Sequence, residues 1–304
     1  MAIDRHDNNS SAADADADAE PARADAGEYL PMDMPGPVTG DRPVPDERRS
    51  RSELYSDLRD SDAAADQGPR SSPDGPRTTN DGAWEWKGLR LEPDANRVAD
   101  EELLARRNAE GRASDGSYHD HGLTPAMRRV EARLDHGSLV PDTEKFALKS
   151  PDRFKEKLAK MVMRYPERTS EQLSSAIHDG IRYSFIIDTS KYVQAVGDAQ
   201  AMLTEEGYEL RVLNPSWDDP DYKGVNSRWR DRDSGVLFEI QFHTWESWEA
   251  KQATHDIYEK LCDPRTAPDQ HSQLAAEQRR ITAGITIPNG ATAIPSYKAK
   301  EADD

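Results

Sequence analysis

One segment, 235–244, constrains the fold of this chain more than any other, because it alternates apolar and polar side chains as a β-strand does. It reads G-V-L-F-E-I-Q-F-H-T. The apolar row, predicted to face a core, is Val236, Phe238, Ile240 and Phe242. The opposite row carries Glu239, Gln241 and His243. This polar row has two interpretations, the lining of a cleft and the solvated face of an amphipathic strand, and alternation alone favours the solvated face.

The segments around this strand predict an α+β fold with a mixed five-stranded sheet flanked by helices. Besides 235–244, strands are predicted at 180–187, 208–213 and 222–230, with a short edge strand within 285–294. Helices are predicted at 99–108, 124–136, 152–164, 169–178, 191–206, 245–261 and 270–283. Thr124 is predicted as an N-cap, Gly137 as a helix stop, and Thr169 with Gln172 as a capping box.

The composition predicts that no core runs along the whole chain. Of the 304 residues 35% are hydrophobic and 32% are charged, and the net charge is −18. Residues 1–80 include the run S-A-A-D-A-D-A-D-A-E and have too few large apolar side chains to offset the entropy cost of ordering the backbone. We therefore predict a disordered acidic low-complexity tail over 1–80, a folded domain over 84–284, and a partly disordered C-terminal extension over 285–304.

Several classes of protein do not fit this sequence. The single cysteine, Cys262, excludes an intramolecular disulfide framework and a cysteine-based zinc finger. The negative net charge argues against indiscriminate nucleic-acid binding. No segment has the length and apolar character of a membrane helix, and the N-terminus lacks the features of a signal peptide. We therefore expect a cytoplasmic protein without a membrane partner, with export by a signal-less route left open; the sequence indicates no oligomeric state.

A positively charged helix is predicted at 152–164, with Lys149 just before it. The cations that repeat on one side of this helix are Arg153, Lys157, Lys160 and Arg164. The sequence places little acid near them apart from Asp152 and Glu156, so a phosphate-rich ligand would stabilise this face. A solvated helix face explains the same pattern equally well.

Two carboxylates are candidates for a metal site. Asp179 lies at the start of the strand 180–187, with Arg182 three residues later, and Glu239 lies inside 235–244. If the two strands are neighbours, Asp179 and Glu239 can share a divalent cation, and the basic helix can hold the phosphates that the cation bridges. This is the minimal equipment for phosphoryl or nucleotidyl transfer. The chain has no P-loop, dinucleotide-binding or zinc-protease signature.

Four segments carry a resemblance to a known family. They are Leu148–Lys157 (L-K-S-P-D-R-F-K-E-K), His178–Arg182 (H-D-G-I-R), Tyr222–Ser227 (Y-K-G-V-N-S) and Glu239–Thr244 (E-I-Q-F-H-T). In this order they resemble the synthetase domain of the RelA/SpoT proteins, a branch of the polymerase-β-like nucleotidyltransferases that includes toxin-like small alarmone synthetases. The resemblance covers residues 145–260 and would make 84–284 a RelA/SpoT-like domain with N-terminal helices.

This resemblance implies the transfer of pyrophosphate from ATP to a ribose 3′-hydroxyl. It implies that Asp179 and Glu239 bind Mg²⁺, with Glu239 sharing the metal or acting as general base. The residues implied to bind the ATP phosphates are Lys149, Arg153, Lys157 and Arg182. Those implied to lie on the acceptor side are Tyr222, Lys223, Gln241, His243 and His255.

Three positions depart from the pattern of the alarmone synthetases. Val225 stands where they have a guanine-stacking tyrosine, and His243 and Ala147 stand where they have arginines. The expected acceptor is therefore a nucleotide or a tRNA 3′ end, with Trp217, Tyr222 and Trp229 as candidates for stacking on its base. The expected role is growth-inhibitory, of the toxin or defence type, with an antitoxin or immunity protein as partner. The alternatives are a (p)ppGpp synthetase and a catalytically inactive nucleotide- or partner-binding module.

Overall fold

The computed structural model describes residues 75–113, 116–261 and 266–300, and these residues form two β-sheets with helices packed against them. The strands are β1 (Arg77–Thr78), β2 (Trp84–Trp86), β3 (Leu89–Leu91), β4 (Gly137–Leu139), β5 (Arg182–Ile187), β6 (Tyr208–Pro215), β7 (Val225–Asp231), β8 (Leu237–His243) and β9 (Tyr297–Lys298). The α-helices are α1 (Pro93–Glu110), α2 (Leu123–Arg133), α3 (Thr143–Phe146), α4 (Pro151–Arg164), α5 (Ser170–Ser175), α6 (Tyr192–Glu205), α7 (Trp245–Ala253), α8 (His255–Leu261) and α9 (Pro268–Thr282). Single 3₁₀ turns occupy His178–Gly180, Thr189–Lys191 and Ala291–Ala293.

The larger sheet is mixed and has the strand order β4-β5-β8-β7-β6-β9. Strands β5 and β8 run parallel, and the other neighbouring pairs are antiparallel. The parallel register places Arg182 opposite Glu239 and Ser184 opposite Gln241. The smaller sheet, β1-β2-β3, is antiparallel, and its strand β3 contacts α4. The predicted α+β class with a mixed sheet and flanking helices is therefore confirmed.

One face of the larger sheet carries the main hydrophobic core. The apolar row of β8 packs there, as predicted, and Phe242 stacks on Phe185 of β5 with ring centroids 5.8 Å apart. Helices α2 and α6 contribute apolar side chains such as Met127 and Val196 to the same core. Full burial of one such side chain contributes about 1.5–3 kcal/mol. This core holds β5 and β8 rigidly side by side, and they carry the site on their other face.

The edges of the larger sheet differ from the prediction. The sheet has six strands, because β4 was not predicted, and it pairs with β5 through only three residues. The edge strand predicted within 285–294 is wrong. Pro288 lacks a backbone N–H, Gly290 has a φ of 77°, and a 3₁₀ turn follows at Ala291–Ala293. The edge strand is β9, which begins a few residues later and pairs with β6.

Helix ends also show where local signals were decisive. The capping box of Thr169 and Gln172 is confirmed at the start of α5. Thr124 is not an N-cap, because α2 begins at Leu123 and the Thr124 hydroxyl bonds instead to the buried hydroxyl of Tyr183, 2.7 Å away. The helix ends at Arg133, and Gly137 begins β4.

Two predicted helices have different lengths. Helix α1 starts six residues before the predicted residue 99, with Pro93 in its first turn. It ends at Glu110, and Gly111 follows in the left-handed conformation. The helix predicted over 245–261 is two helices, which meet at Thr254. Its hydroxyl and its amide both donate to the carbonyl oxygen of Ala250, one turn back.

The tail predicted over 1–80 includes Arg77–Thr78, which form β1 and pair with β2. Residues 1–74 and 301–304 lie outside the described part of the chain, so the predictions of disorder there stay predictions. Among the described helices, none combines the length and apolar character needed to cross a bilayer.

Candidate active site

The polar row of β8 is buried, so its interpretation as a solvated face is wrong. Glu239, Gln241 and His243 are each 1% exposed or less. Alternation cannot reveal this, because the cover comes from elsewhere in the chain. Helix α7 contacts β5 and β8 and directs Lys251 toward the row, while Arg182 of β5 reaches it from the side.

Asp179 lies in the 3₁₀ turn that leads into β5, and it is surrounded by cations. Its Oδ2 accepts from Lys149 Nζ at 2.9 Å and from Arg182 Nη2 at 3.3 Å, and its Oδ1 accepts from Lys157 Nζ at 2.7 Å. Burial alone would raise the pKa of this carboxyl, but Lys149, Lys157 and Arg182 outweigh burial and hold the pKa well below its usual range. Asp179 is therefore ionised at neutral pH.

The local backbone explains why these cations reach Asp179. The amide of Lys149 donates to the carbonyl oxygen of Gly180, and the amide of Arg182 donates to that of Ala147. The chain just before α4 is thus paired with the chain entering β5. Lys157 then lies two turns into α4 and reaches the same carboxylate from the helix.

Glu239 lies one strand away and is joined to Asp179 through Arg182. Its Oε1 accepts from Arg182 Nε at 2.9 Å and from Gln241 Nε2 at 2.6 Å, and its Oε2 lies 3.5 Å from His178 Nε2. Burial would raise the pKa of Glu239, but Arg182 and then His178 outweigh it and lower the pKa to about 2. The two carboxylates predicted to act together are therefore joined through one guanidinium group.

The cations of α4 pair with a larger number of acidic side chains than the sequence indicated. Arg153 pairs with Glu156 of its own helix at 3.1 Å and with Glu259 of α8 at 3.0 Å, and Lys160 pairs with Glu156 at 3.0 Å. Lys157 pairs with Asp179, so a solvated face is the wrong interpretation at that position. The partners Asp179 and Glu259 are distant in sequence from α4, so the local sequence pattern does not predict these ion pairs.

Two of the acceptor-side residues, Tyr222 and His243, form a separate cluster at the end of β8. The Tyr222 hydroxyl donates to Asn226 Oδ1 at 2.9 Å and lies 3.0 Å from His243 Nε2. His243 Nδ1 lies 3.1 Å from the Ser247 hydroxyl. Burial first, and then Lys251, hold the pKa of His243 well below its usual value, so the ring is neutral. The neutral His243 ring therefore holds the Tyr222 hydroxyl in position.

The loop before β7, residues 216–224, is called the acceptor-side loop here, and it is held from several directions. Lys223 Nζ donates to the backbone carbonyl oxygens of Trp217 at 2.9 Å and Asp219 at 2.5 Å. From α9, Arg279 pairs with Asp221 at 2.8 Å. Lys223 thus directs its ammonium group to the loop backbone.

The aromatic residues predicted to stack on a base are not equally placed. Trp217 is 1% exposed and Trp229 is fully buried, and both belong to the hydrophobic core, so the prediction that they could stack on a base is wrong. Tyr222 is half-buried and stays a candidate. Val225, where the alarmone synthetases have tyrosine, is itself fully buried.

His255 lies at the start of α8 and is 2% exposed. Its Nε2 is 3.6 Å from Glu259 Oε1, and Glu259 also pairs with Arg153. Within the described residues neither ring nitrogen has a hydrogen-bond partner. The pKa of His255 is lowered, chiefly by burial. The structure therefore links His255 to Arg153, a predicted ATP-phosphate residue, through one shared carboxylate.

Sequence reasoning missed two residues that support the site. Arg106 of α1 is completely buried and donates to the carbonyl oxygens of Leu237 and Ser174; a Cβ added to Gly180 would lie 2.6 Å from its Nη1. It packs directly beneath the turn that carries Asp179. Lys251 of α7 contacts Gln241. The available signal was a charged residue on an otherwise inward helix face, since Lys251 lies three residues after the buried Trp248.

The charged groups suit a polyanion. Lys149, Lys157 and Arg182 gather around Asp179 and Glu239, and the side chains of lysine and arginine bind phosphate oxygens. Within the described residues no cluster of three or more His, Cys, Asp or Glu side chains could hold a metal by itself. The pair Asp179 and Glu239 has a suitable number of carboxylates for Mg²⁺. This ion commonly takes one or two protein carboxylates and completes its coordination shell with phosphate oxygens and waters.

Comparison with known proteins gives similarity in structure only. No protein-family model matches the chain, and no curated protein matches its sequence. The type VI effector Tas1, solved in complex with its immunity protein, is 18% identical over 64% of this chain and 96% of its own, with a TM-score of 0.37. Small alarmone synthetase 1 from Bacillus subtilis is 12% identical over 64% and 91%, with a TM-score of 0.41. A GTP pyrophosphokinase family protein from Streptococcus pneumoniae is 12% identical over 62% and 85%, with a TM-score of 0.31. Values this low assign neither a family nor an activity to this chain.

Proposed function

We propose that this protein is a Mg²⁺-dependent pyrophosphokinase of the RelA/SpoT type, which transfers pyrophosphate from ATP to the ribose 3′-hydroxyl of a nucleotide or of a tRNA 3′ end. One observation carries the proposal. Asp179, in the turn that leads into β5, and Glu239, on the neighbouring strand β8, share Arg182, and Lys149 and Lys157 both pair with Asp179. Phosphoryl-transfer enzymes need this combination of carboxylates for a metal and cations for phosphates.

In the proposed site, phosphate oxygens can replace Asp179 as the acceptor for the cations. Without a ligand, Asp179 satisfies the buried ammonium groups of Lys149 and Lys157. When ATP enters, its phosphate oxygens accept from these two lysines and from Arg182, which frees the Asp179 carboxylate. Mg²⁺ would supply neutralisation of the negative charge on the ATP phosphates. Asp179 and Glu239 are the residues that would hold it.

The transfer step forms a bond between the acceptor 3′-oxygen and the β-phosphorus of ATP. The bond between this phosphorus and the oxygen bridging to the α-phosphorus breaks, and its electron pair leaves with AMP. Glu239 takes the hydroxyl proton. Burial would raise the pKa of Glu239, but Arg182 and then His178 lower it to about 2, so this role requires Arg182 to turn from Glu239 to phosphate.

The proposal includes a growth-inhibitory role with an antitoxin or immunity protein as partner. The chemical reason is that the 3′-terminal ribose of tRNA carries the amino acid, so pyrophosphate there blocks charging. In bacteria, expression of the wild type is expected to arrest growth, and Asp179→Ala and Glu239→Ala are expected to abolish the arrest. Equal arrest by these variants would contradict the proposal.

A second candidate is a catalytically inactive nucleotide- or partner-binding module. The observation in its favour lies on the acceptor side. Lys223, which the resemblance places against acceptor phosphates, donates to Trp217 and Asp219 carbonyl oxygens of its own loop. Such a module would bind ATP through Lys149 and Lys157 and transfer nothing.

Incubation with γ-³²P-labelled ATP and separate acceptors tests both candidates. The acceptors are GDP, GTP, AMP, ATP and bulk tRNA, and label is expected on at least one. Asp179→Asn and Glu239→Gln should abolish labelling, whereas Asp188→Asn, at an exposed position outside the site, should not. Labelling of GDP or GTP would identify an alarmone synthetase. ATP binding without labelling of any acceptor would favour the inactive module, and absence of both would overturn the proposal.

A further inference from the structure

Lys251 is a buried lysine in an unusual environment. It is 3% exposed, its Nζ donates to Gln241 Oε1 at 2.5 Å, and it lies 4.4 Å from the centroid of the Trp248 ring. In the part of the chain that the structure describes, no carboxylate lies within ion-pair distance of it. A buried cation without a carboxylate is costly, so a lysine here needs a reason other than packing.

Gln241 connects this lysine to Glu239. Its Oε1 accepts from Lys251, with a longer contact of 3.4 Å from the Ser184 hydroxyl, while its Nε2 donates to Glu239 Oε1 at 2.6 Å. The two ends of a glutamine amide have nearly the same shape and opposite hydrogen-bonding character. Turning this amide over would set its oxygen against the Glu239 carboxylate and its NH₂ group against the Lys251 donor.

We propose that Lys251 is a positioning residue, which fixes the orientation of the Gln241 amide so that its NH₂ group holds the Glu239 carboxylate beside Arg182. The inference rests on the proposed function for the role of Glu239, and its structural part is independent of any activity. Ser184 is the weaker donor, because its hydroxyl lies 3.4 Å from Gln241 Oε1, beyond the usual length of an O–H···O hydrogen bond.

The positioning role does not depend on the charge of Lys251. Burial holds the pKa of Lys251 well below its usual value, and Arg182 lowers it further. A neutral amine still carries N–H donors, so it still selects the carbonyl end of the amide. The nearby Trp248 ring accommodates the ammonium form through its π face. Either form holds Gln241 in the same orientation.

Nuclear magnetic resonance of the side-chain amide tests the orientation without an assay of activity. Full-length protein labelled with ¹⁵N-glutamine is compared with Lys251→Met, which keeps the apolar stem and removes the donor, and with Lys251→Arg, which keeps a donor. Loss of one signal in Gln241→Met identifies the resonance. In the wild type it should lie downfield and exchange slowly with water, as expected for a donor to a carboxylate.

The expected result is that Lys251→Met moves this resonance toward the position of free glutamine amides and speeds its exchange, while Lys251→Arg and Ser184→Ala leave it near the wild-type position. An unchanged resonance in folded Lys251→Met would overturn the proposal. So would a shift in Ser184→Ala as large as that in Lys251→Met, because Ser184 would then set the orientation.

A kinetic cycle provides the second readout. If an acceptor is found, Lys251→Met should lower kcat by about 10–100-fold, as is typical for partners of catalytic ligands, with the KM for ATP nearly unchanged. The same change in the Gln241→Met background should have no further effect, because Lys251 acts only through Gln241. If Lys251→Met alone does not fold, the double variant can be measured instead, because it places two apolar side chains in contact and leaves no unpaired amide oxygen. A further loss of kcat in this background would overturn the proposal, whereas absence of activity in the wild type would count against the proposed function alone.

Discussion

Asp179→Asn should destabilise the unliganded protein strongly, because Asp179 is the carboxylate on which three buried cations converge. The Asp179 side chain is 1% exposed, and those of Lys149, Lys157 and Arg182 are 7%, 9% and 12% exposed. Removal of one partner of a buried ion pair costs about 3–5 kcal/mol, since the remaining charge stays desolvated. For a domain of this size the loss corresponds to a decrease in Tm of roughly 6–20 °C.

Urea and thermal unfolding, followed by circular dichroism, measure this loss. Asp188→Asn is the matched control, because the Asp188 side chain is 52% exposed, and it should change stability by less than about 1 kcal/mol. Addition of Lys157→Met to Asp179→Asn should restore part of the loss by removing one buried charge. Inorganic tripolyphosphate should raise the Tm of Asp179→Asn more than that of the wild type, because the anion replaces the missing carboxylate.

Two results would refute this reasoning. A loss below about 1 kcal/mol in Asp179→Asn would mean that the cations are solvated in the unliganded protein. A further loss on adding Lys157→Met would mean that Lys157 stabilises the fold through contacts other than its pair with Asp179.

Mild acid, the acceptor-side loop and the turn at Asp179 each allow a further prediction. Because burial keeps the pKa of His243 well below 6.5, the folded protein should lose up to about 1.4 kcal/mol of stability per pH unit as the pH falls below about 6.5. Urea midpoints between pH 5 and 8 should show a smaller slope in His243→Gln, and equal slopes would contradict this. Arg279→Ala removes an exposed ion pair with the acceptor-side loop, so it should cost less than about 1 kcal/mol of stability and raise the KM for the acceptor but not for ATP. An unchanged acceptor KM would show that Arg279 does not position the loop. Gly180→Ala should lower the free energy of unfolding by about 1–3 kcal/mol, because the added Cβ would lie 2.6 Å from Arg106 Nη1. Gly197→Ala is the control and should cause no loss, because nothing lies within 4 Å of its added Cβ. Equal stabilities of the two variants in urea would rule out the clash with Arg106.

The sequence predicted the elements whose signals are local. The alternation over 235–244 identified β8, and the spacing of Thr169 and Gln172 identified the cap of α5. The edge strand within 285–294 was wrong, because apolar residues suggested a strand where Pro288 and the left-handed Gly290 produce a turn. Short strands such as β4 carry too few residues for a pattern, and only the pairing with β5 reveals them.

The sequence named several residues that the structure brings together, but it did not predict their contacts. The motifs named Asp179, Arg182 and Glu239, and the parallel register of β5 and β8 brings these three together. The burial of the polar row could not be predicted, because its cover comes from other elements, including Lys251 on α7. The same is true of Glu259, which pairs with Arg153 from more than a hundred residues away. Such contacts depend on tertiary packing and leave no periodic signal in one sequence.

The fate of the ATP phosphates tests the central claim most directly. The protein is incubated with the acceptor that becomes labelled among GDP, GTP, AMP, ATP and bulk tRNA. One sample contains ATP labelled with ³²P at the α-position and another contains ATP labelled at the γ-position, and the products are separated. A pyrophosphokinase should release the α-label as AMP and transfer the γ-label to the acceptor, with one AMP formed for each acceptor modified. Both labels should stay in ATP with Glu239→Gln. Release of the α-label as ADP, or of the γ-label as free phosphate or pyrophosphate, would contradict the account.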